Sequence, residues 1–280
     1  MKTLNLSSHL KFYKYPLINF NKFNFKSGEE HIKIENQLNK YDKILLVSTM
    51  AEKTLSSDIT TTLLATDALK EMGVKHIELF TPYFPFSRQD RVMVNGEPFS
   101  LRVMAKQINS QKYKKVHILN PHSNITNVLV NNIQLIDDNK FIEKCWMDIK
   151  DDNKCLISPD AGAEKKIWNI AKYLKTNDVI LASKHRNVNT GKIINTSVHG
   201  DVKNKTCVIC DDIIDGGATF IILADLLKKM GANKVYLIVT HGFFTKQYDV
   251  LKNIDGIYTT DSIKIINQDN IKTVLINDFY

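Results

Sequence analysis

Val208-Ile-Cys-Asp-Asp-Ile-Ile-Asp-Gly-Gly-Ala-Thr219 runs from a short apolar stretch through two adjacent carboxylates into a loop of small residues. A helical pattern opens near Thr219. A strand that feeds a loop without large side chains directs backbone N–H groups at the helix N-terminus, where they converge on an anion. Asp211, Asp212 and Asp215 flank that loop and suit sugar hydroxyls or the waters of a Mg²⁺ ion. Sugar plus phosphate is the ligand that the combination of Gly216, Gly217, Ala218 and Thr219 with three carboxylates fits. The alternative is an acidic turn that caps the helix through Asp215 or Thr219. Three Asp and two Gly in one turn are more than capping needs.

Working outward, short β-type runs recur at Ile44–Val47, Ile77–Phe80, Val116–Leu119, Cys155–Ile157, Val179–Leu181, Cys207–Cys210, Val235–Val239 and Ile257–Thr259. Helical patterns near 58–72, 99–110, 162–174 and 219–230 lie between several of them. This alternation predicts an α/β fold of mainly parallel sheets covered by helices. Thr61–Phe80 also aligns without gaps on Thr219–Ile238 at an offset of 158 residues. Leu69, Lys70, Met72 and Gly73 recur as Leu227, Lys228, Met230 and Gly231, and each Gly is placed to end its helix. Two tandem α/β domains are expected, over residues 1–140 and 141–262, joined near Ile136–Asp148. One more β-type run, Thr273–Ile276, lies in the tail 263–280, which is expected to return to the first domain.

The totals exclude several classes. With 280 residues, 43% hydrophobic and 24% charged, the chain has the composition of a globular protein with a substantial core. No apolar run approaches the length of a membrane span, and the N-terminus lacks the apolar segment of a signal peptide, so a cytoplasmic protein without a membrane partner is expected. The net charge of +8 comes from scattered lysines, with no zinc-finger spacing and no aromatic–basic RNA motif. A polyanionic small substrate explains it without a nucleic-acid partner. Cys207 and Cys210 form a C-x-x-C, but both lie in an apolar run where strand alternation sends them to opposite faces. They are read as core cysteines.

Further segments sit where strands end, the place α/β sheets put ligands. Thr81-Pro-Tyr-Phe-Pro-Phe-Ser-Arg-Gln-Asp-Arg91 offers Arg88 and Arg91 for phosphate and Phe84 or Phe86 for a base, or is a surface loop of Arg–Asp pairs. His122 and Asp160 each follow a β run and suit a divalent ion, while Asp160 also suits a helix N-cap. Lys184-His-Arg186 follows Val179–Leu181, and two cations on a mobile loop there would neutralise a transferring phosphoryl group. No P-loop and no Gly-x-Gly-x-x-Gly occurs, so a nucleotide must be held in another way.

Taken in order, Phe25-x-x-Gly-Glu29, Tyr83-Phe-Pro-Phe-Ser-Arg-Gln-Asp-Arg91, His122, Ser158-Pro-Asp-Ala-Gly, Lys184-x-Arg186, Gly200-Asp-Val, Asp211 to Thr219 and Thr240-His-Gly-Phe-Phe resemble the ribose-phosphate diphosphokinases, the PRPP synthetase family. The similarity spans about Phe25 to Ile263. It implies two phosphoribosyltransferase-type domains and Mg²⁺-ATP bound by Phe25, Ser27, Glu29, Arg88, Gln89, Asp90 and His122, partly across a subunit boundary of a homodimer or hexamer. It further implies Mg²⁺ at His122 and Asp160, and Lys184 and Arg186 as the residues that stabilise the transition state. The ribose hydroxyls and 5-phosphate would sit on Asp211, Asp212, Asp215, Gly216, Gly217, Ala218 and Thr219. The sugar C1 hydroxyl would attack the β-phosphorus of ATP and release AMP, chemistry that needs positioning and charge neutralisation.

The chain departs from the family pattern in places. Ser27 and Asn120 stand where Asp is usual, and Asn95-Gly96 where Ser-Arg is usual. The N-terminal helix is reduced and a C-terminal helix absent, so an unregulated enzyme is expected. Gly216 replaces a Thr whose hydroxyl would donate to the 5-phosphate. Space cleared there suits either ribose 5-phosphate or a phosphate esterified further, as in ADP-ribose, whose diphosphorylation would serve NAD resynthesis. A nucleobase phosphoribosyltransferase and a non-catalytic regulatory paralogue are the rival readings.

Overall fold

The computed structural model describes residues 1–11, 14–51, 54–186, 193–246 and 251–280, with backbone alone for 184–186 and 193–195. The chain divides into two units. Met1–Asp137 with Ser262–Lys264 and Tyr280 forms the first, and Asp138–Asp261 with Ile265–Phe279 the second. No helix among the described residues is long and apolar enough to cross a membrane.

The first unit contains, in order, β1 (Lys2–Asn5), β2 (Phe20–Asn24), β3 (Glu30–Ile34), β4 (Lys43–Val47), α1 (Leu55–Glu71), β5 (His76–Phe80), α2 (Ser100–Ser110), β6 (Val116–Leu119), α3 (Ile125–Leu129) and β7 (Ile133–Ile136). Its sheet has the order β1-β4-β5-β6-β7, parallel throughout. β4 is a continuous apolar run over Ile44–Val47, and β5 is buried without a break from Ile77 to Phe80, as expected where helices cover both faces of such a sheet. α2 buries Leu101, Met104, Ala105 and Ile108, the i, i+3, i+4, i+7 stripe of one helical face. β2 and β3 form a separate antiparallel hairpin. Glu30, the first residue of β3 next to the hairpin turn, accepts hydrogen bonds from Ser57 and Thr61 of α1, the latter at 2.6 Å.

The second unit contains α4 (Asn139–Asp148), β8 (Lys154–Ser158), α5 (Glu164–Leu174), β9 (Val179–Arg186), β10 (Ile193–His199), β11 (Thr206–Ile214), α6 (Ala218–Lys229), β12 (Lys234–Gly242), β13 (Gly256–Thr260) and β14 (Ile271–Val274). Its sheet runs β10-β9-β8-β11-β12-β13-β14, with only the β9–β10 pair antiparallel. From β8 the chain moves one way to β9 and β10, then returns to place β11 on the other side. That reversal opens a crevice at the carboxyl ends of β8 and β11, where ligands of open α/β sheets bind.

α6 buries Phe220, Leu223, Ala224 and Leu227, again one face of a helix, and packs on β12. Full burial of Leu223 and Leu227 stabilises the unit by about 2 kcal/mol each. The repeated segment is structurally matched at its end. α1 and α6 both stop before a Gly with positive φ, Gly73 at +84° and Gly231 at +94°. Gly73 N–H donates to Lys70 O and Val74 N–H to Leu69 O; Gly231 N–H donates to Lys228 O and Ala232 N–H to Leu227 O. Both are the same helix-terminating motif, and a parallel strand starts three residues after each Gly.

One expectation needs correction. Residues 263–280 do not as a whole complete the first domain. β14 pairs in parallel register with β13, Ile257 opposite Ile271 and Thr260 opposite Val274, and Ile271 joins the second core. Only Ser262–Lys264 and Tyr280 group with the first unit. All four cysteines are buried free thiols; Cys207 and Cys155 face each other on neighbouring strands with their sulfurs 3.7 Å apart.

Candidate active site

β11 is buried along Thr206–Cys210 and becomes partly accessible at Asp211 and Asp212, at the crevice. Asp212 N–H donates to Asp211 Oδ1 at 2.8 Å. Burial, the charge of Asp212 and a hydrogen bond with that residue push Asp211 up to about 8, against the opposing charge of Lys166. Past the strand, Gly217 is the N-cap of α6, with φ +74°, and no side chain caps the helix. The capping alternative for Asp215 and Thr219 is therefore not realised. The N–H groups of the first turn are left to a ligand or water, and the positive end of the helix dipole favours an anion.

Asp215 is tied to the neighbouring strand end. Thr245 Oγ1 donates to Asp215 Oδ1 at 2.6 Å, Thr245 N–H to Asp215 O at 3.1 Å and Phe243 N–H to Ile214 O at 2.9 Å. Gly216 is in contact with Lys246: a Cβ built on Gly216 would lie 3.3 Å from Lys246 Cε and 3.4 Å from Cδ.

Behind the carboxylate pair lies a cation that the motifs did not reveal. Lys166, in the first turn of α5, has a buried Nζ 3.3 Å from Asp138 Oδ2. Burial acts to discharge it, but the charges of Asp138, Asp212 and Asp211 outweigh this and hold its ammonium above the usual lysine range. A cation at a helix N-terminus opposes the helix dipole, so these carboxylates are what keep it there. Asp138 is itself fixed by Thr240 Oγ1, which donates to Oδ2 at 2.7 Å. The rule that strand ends carry ligands points to Thr240 at the end of β12, but nothing in the local pattern marks Lys166.

At the end of β8, Asp160 caps the 3-10 turn Ala161–Ala163, its Oδ1 accepting from Ala163 N–H at 3.2 Å. It remains partly exposed, so capping does not exhaust its carboxylate. β9 continues to Arg186 and pairs with β10, which places Lys184 and Arg186 on the strand instead of on a loop after it. Their side chains and residues 187–192 lie outside the described residues.

In the first unit, the loop after β5 and the turn after β6 meet. Asp90 accepts from Ser123 Oγ at 2.8 Å and from Arg91 Nε at 2.9 Å. The Arg91 bond holds its carboxyl below the ordinary range, aided by Ser123 and by the charges of Arg91 and His122, with burial opposing. Arg88, Gln89 and His122 are exposed around this contact. Arg91 is engaged with Asp90, and Phe84 is 1% exposed in the first core, so neither is available in the way the motif suggested. Phe25, Ser27 and Glu29 occupy the hairpin tip. Ser27 Oγ donates to Glu29 Oε2 at 2.7 Å, and Phe25 stacks edge-on to Phe23 while staying half exposed.

Two mainly parallel sheets with helix-linked strand ends, one of them carrying a carboxylate pair beside an uncapped helix, define a pair of phosphoribosyltransferase-type domains. Residues 5–111 match the N-terminal domain of ribose phosphate pyrophosphokinase and residues 177–279 the phosphoribosyl synthetase-associated domain. The ribose-phosphate pyrophosphokinase of Pyrococcus furiosus is 31% identical over 253 residues, covering 89% of this chain and 88% of that protein. That of Mycoplasmopsis pulmonis is 28% identical over 257 residues, covering 89% and 78%. The phosphoribosylpyrophosphate synthetase of Mycobacterium smegmatis has the same fold, with a TM-score of 0.83 at 22% identity over 94% of this chain and 88% of that one. The chain belongs to the ribose-phosphate pyrophosphokinase family.

These relatives are named for ribose phosphate and give no support to ADP-ribose as acceptor. The structural premise of that reading also changes, because the space beside Gly216 is filled by the stem of Lys246.

Proposed function

We propose that the protein transfers the β,γ-diphosphoryl group of ATP to the C1 hydroxyl of ribose 5-phosphate, releasing AMP. The observation that carries this reading is the end of β11, where two carboxylates stand beside the uncapped N-terminus of α6. Carboxylates accept hydrogen bonds from vicinal hydroxyls, and the helix N-terminus binds a phosphate monoester; a ribose 5-phosphate carries both. Asp211 and Asp212 are assigned to the ribose hydroxyls, and Asp215, Gly216, Gly217, Ala218 and Thr219 to the 5-phosphate. Phe25, Ser27, Glu29, Arg88, Gln89, Asp90 and His122 are assigned to ATP, with a second copy of the chain completing that site.

Asp160 and His122 are the proposed Mg²⁺ residues. The partly exposed carboxylate of Asp160 and the exposed imidazole of His122 each suit a hard cation that keeps most of its waters. When bound, Mg²⁺ neutralises charge on the ATP phosphates. The protein's own part is positioning: Asp211 and Asp212 hold the sugar, α6 holds its phosphate, and Lys184 and Arg186 offset charge that develops on the transferred group. Replacing Lys184 with Ala is expected to abolish ribose 5-phosphate-dependent AMP release while leaving the fold unchanged by circular dichroism. Unaltered turnover would overturn its role.

A further inference from the structure

We infer that Lys246 is a binding residue for the acceptor's 5-phosphate, supplying the charge that the loop itself lacks. The inference rests on the reading of 215–219 as the phosphate loop. From Asp211 to Thr219 the sequence contains three carboxylates and no Lys, Arg or His. A phosphate monoester dianion brought to that loop meets backbone N–H groups and a helix dipole equivalent to about half a charge, against carboxylates close by. A cation is required to balance them.

Lys246 is held where such a cation would act. The pairing of β11 with β12 runs on beyond both strands through Phe243 N–H to Ile214 O and Thr245 N–H to Asp215 O, and Thr245 Oγ1 closes on Asp215 Oδ1 at 2.6 Å. This register delivers Lys246 alongside Gly216. Its Cγ, Cδ and Cε lie 3.5, 3.4 and 3.3 Å from the position of a Cβ on Gly216, so the stem runs across the bare face of the glycine. The ammonium is one bond further on, and the residue is exposed.

The same contact explains why Gly216 and Lys246 belong together. A Thr at 216 would bring its Cβ to 3.3 Å from Lys246 Cε, a tight contact that the lysine stem must relieve by a few tenths of an ångström. Here the neutral donor is replaced by an ammonium from the adjoining strand end, which binds phosphate as a point charge. Lys246 thereby sets affinity for the acceptor and leaves ATP untouched.

The test is calorimetric binding of ribose 5-phosphate to the full-length protein without ATP, comparing wild type, Lys246→Met and Lys246→Arg. Met keeps the stem and removes the charge. The inference predicts affinity weakened about tenfold or more in the Met variant and largely restored by Arg. In turnover, KM for ribose 5-phosphate rises by a similar factor, while KM for ATP stays within about twofold. Equal affinity of wild type and Lys246→Met, or no binding by the wild type, overturns the inference. Binding that depends on Lys246 without AMP release in the presence of ATP instead overturns the proposed reaction and leaves Lys246 as a phosphate-binding residue.

Discussion

Lys166 and Asp138 form an ion pair with Nζ 3.3 Å from Oδ2, and this pair is the electrostatic floor of the crevice beneath Asp211 and Asp212. Three carboxylates from the start of α4 and the end of β11 share one ammonium from α5. Removing that ammonium strips Asp138 and Asp212 of their compensating charge beside the partly accessible, proton-holding Asp211. Lys166→Met is predicted to destabilise the second unit by about 3 kcal/mol at neutral pH, since breaking a buried pair from one side strands the other charge. The loss shrinks as pH falls and the carboxylates protonate. Urea denaturation at two pH values measures it, and a variant as stable as wild type at pH 7 contradicts the arrangement.

Asp211 gives the unliganded protein a pH dependence of definite sign. Its folded value lies near 8 and its ordinary value is 3.8, so between these the folded state holds a proton that the unfolded chain releases. Stability from this group therefore falls as pH rises across that interval. Asp211→Asn is expected to flatten the slope between pH 5 and 8.5 and to stabilise the protein at the upper end, on the order of 2–3 kcal/mol. It is also expected to weaken ribose 5-phosphate binding, because an amide cannot become the acceptor-only carboxylate that Asp211 offers once it gives up its proton. Thermal denaturation of both proteins across the range decides it; parallel curves contradict the assignment.

Gly217 holds the phosphate loop in a left-handed turn at φ +74°, and a Cβ there would approach Leu251 Cδ2 to 3.0 Å. Gly217→Ala is predicted to cost about 1–2 kcal/mol through backbone strain and that contact. Because the strain relaxes by shifting the first turn of α6, KM for ribose 5-phosphate should rise more than KM for ATP. Steady-state kinetics with each substrate varied separately test this, and equal changes in both constants contradict it.

How far these features were legible depends on whether their causes are local. The β11 loop was readable because strand, small-residue turn and helix lie within a dozen consecutive residues, and the matched ends of α1 and α6 because a Gly after a helix has one dominant use. The β2–β3 hairpin was not, since Phe20–Asn24 buries no residue and Glu30–Ile34, though it alternates, buries only Ile32, too short a pattern to mark a strand. α4 was hidden in the segment read as the domain join, although Phe141, Ile142, Cys145 and Trp146 face the core. The last strand was read late, at Thr273–Ile276, because Leu275 and Ile276 are as apolar as the residues that pair with β13. Lys166 and Lys246 were invisible for a deeper reason. Each matters through a partner on another element, and only the sheet order brings α5 and the end of β12 to β11.

The most direct measurement is ³¹P NMR of the protein incubated with ATP, Mg²⁺ and ribose 5-phosphate. The account predicts that the β- and γ-phosphorus of ATP appear together as a diphosphate on the sugar C1 while AMP accumulates in equal amount, and that neither product forms when ribose 5-phosphate is left out. Formation of ADP with a single phosphoryl group transferred, or AMP release that does not depend on the sugar phosphate, would contradict it.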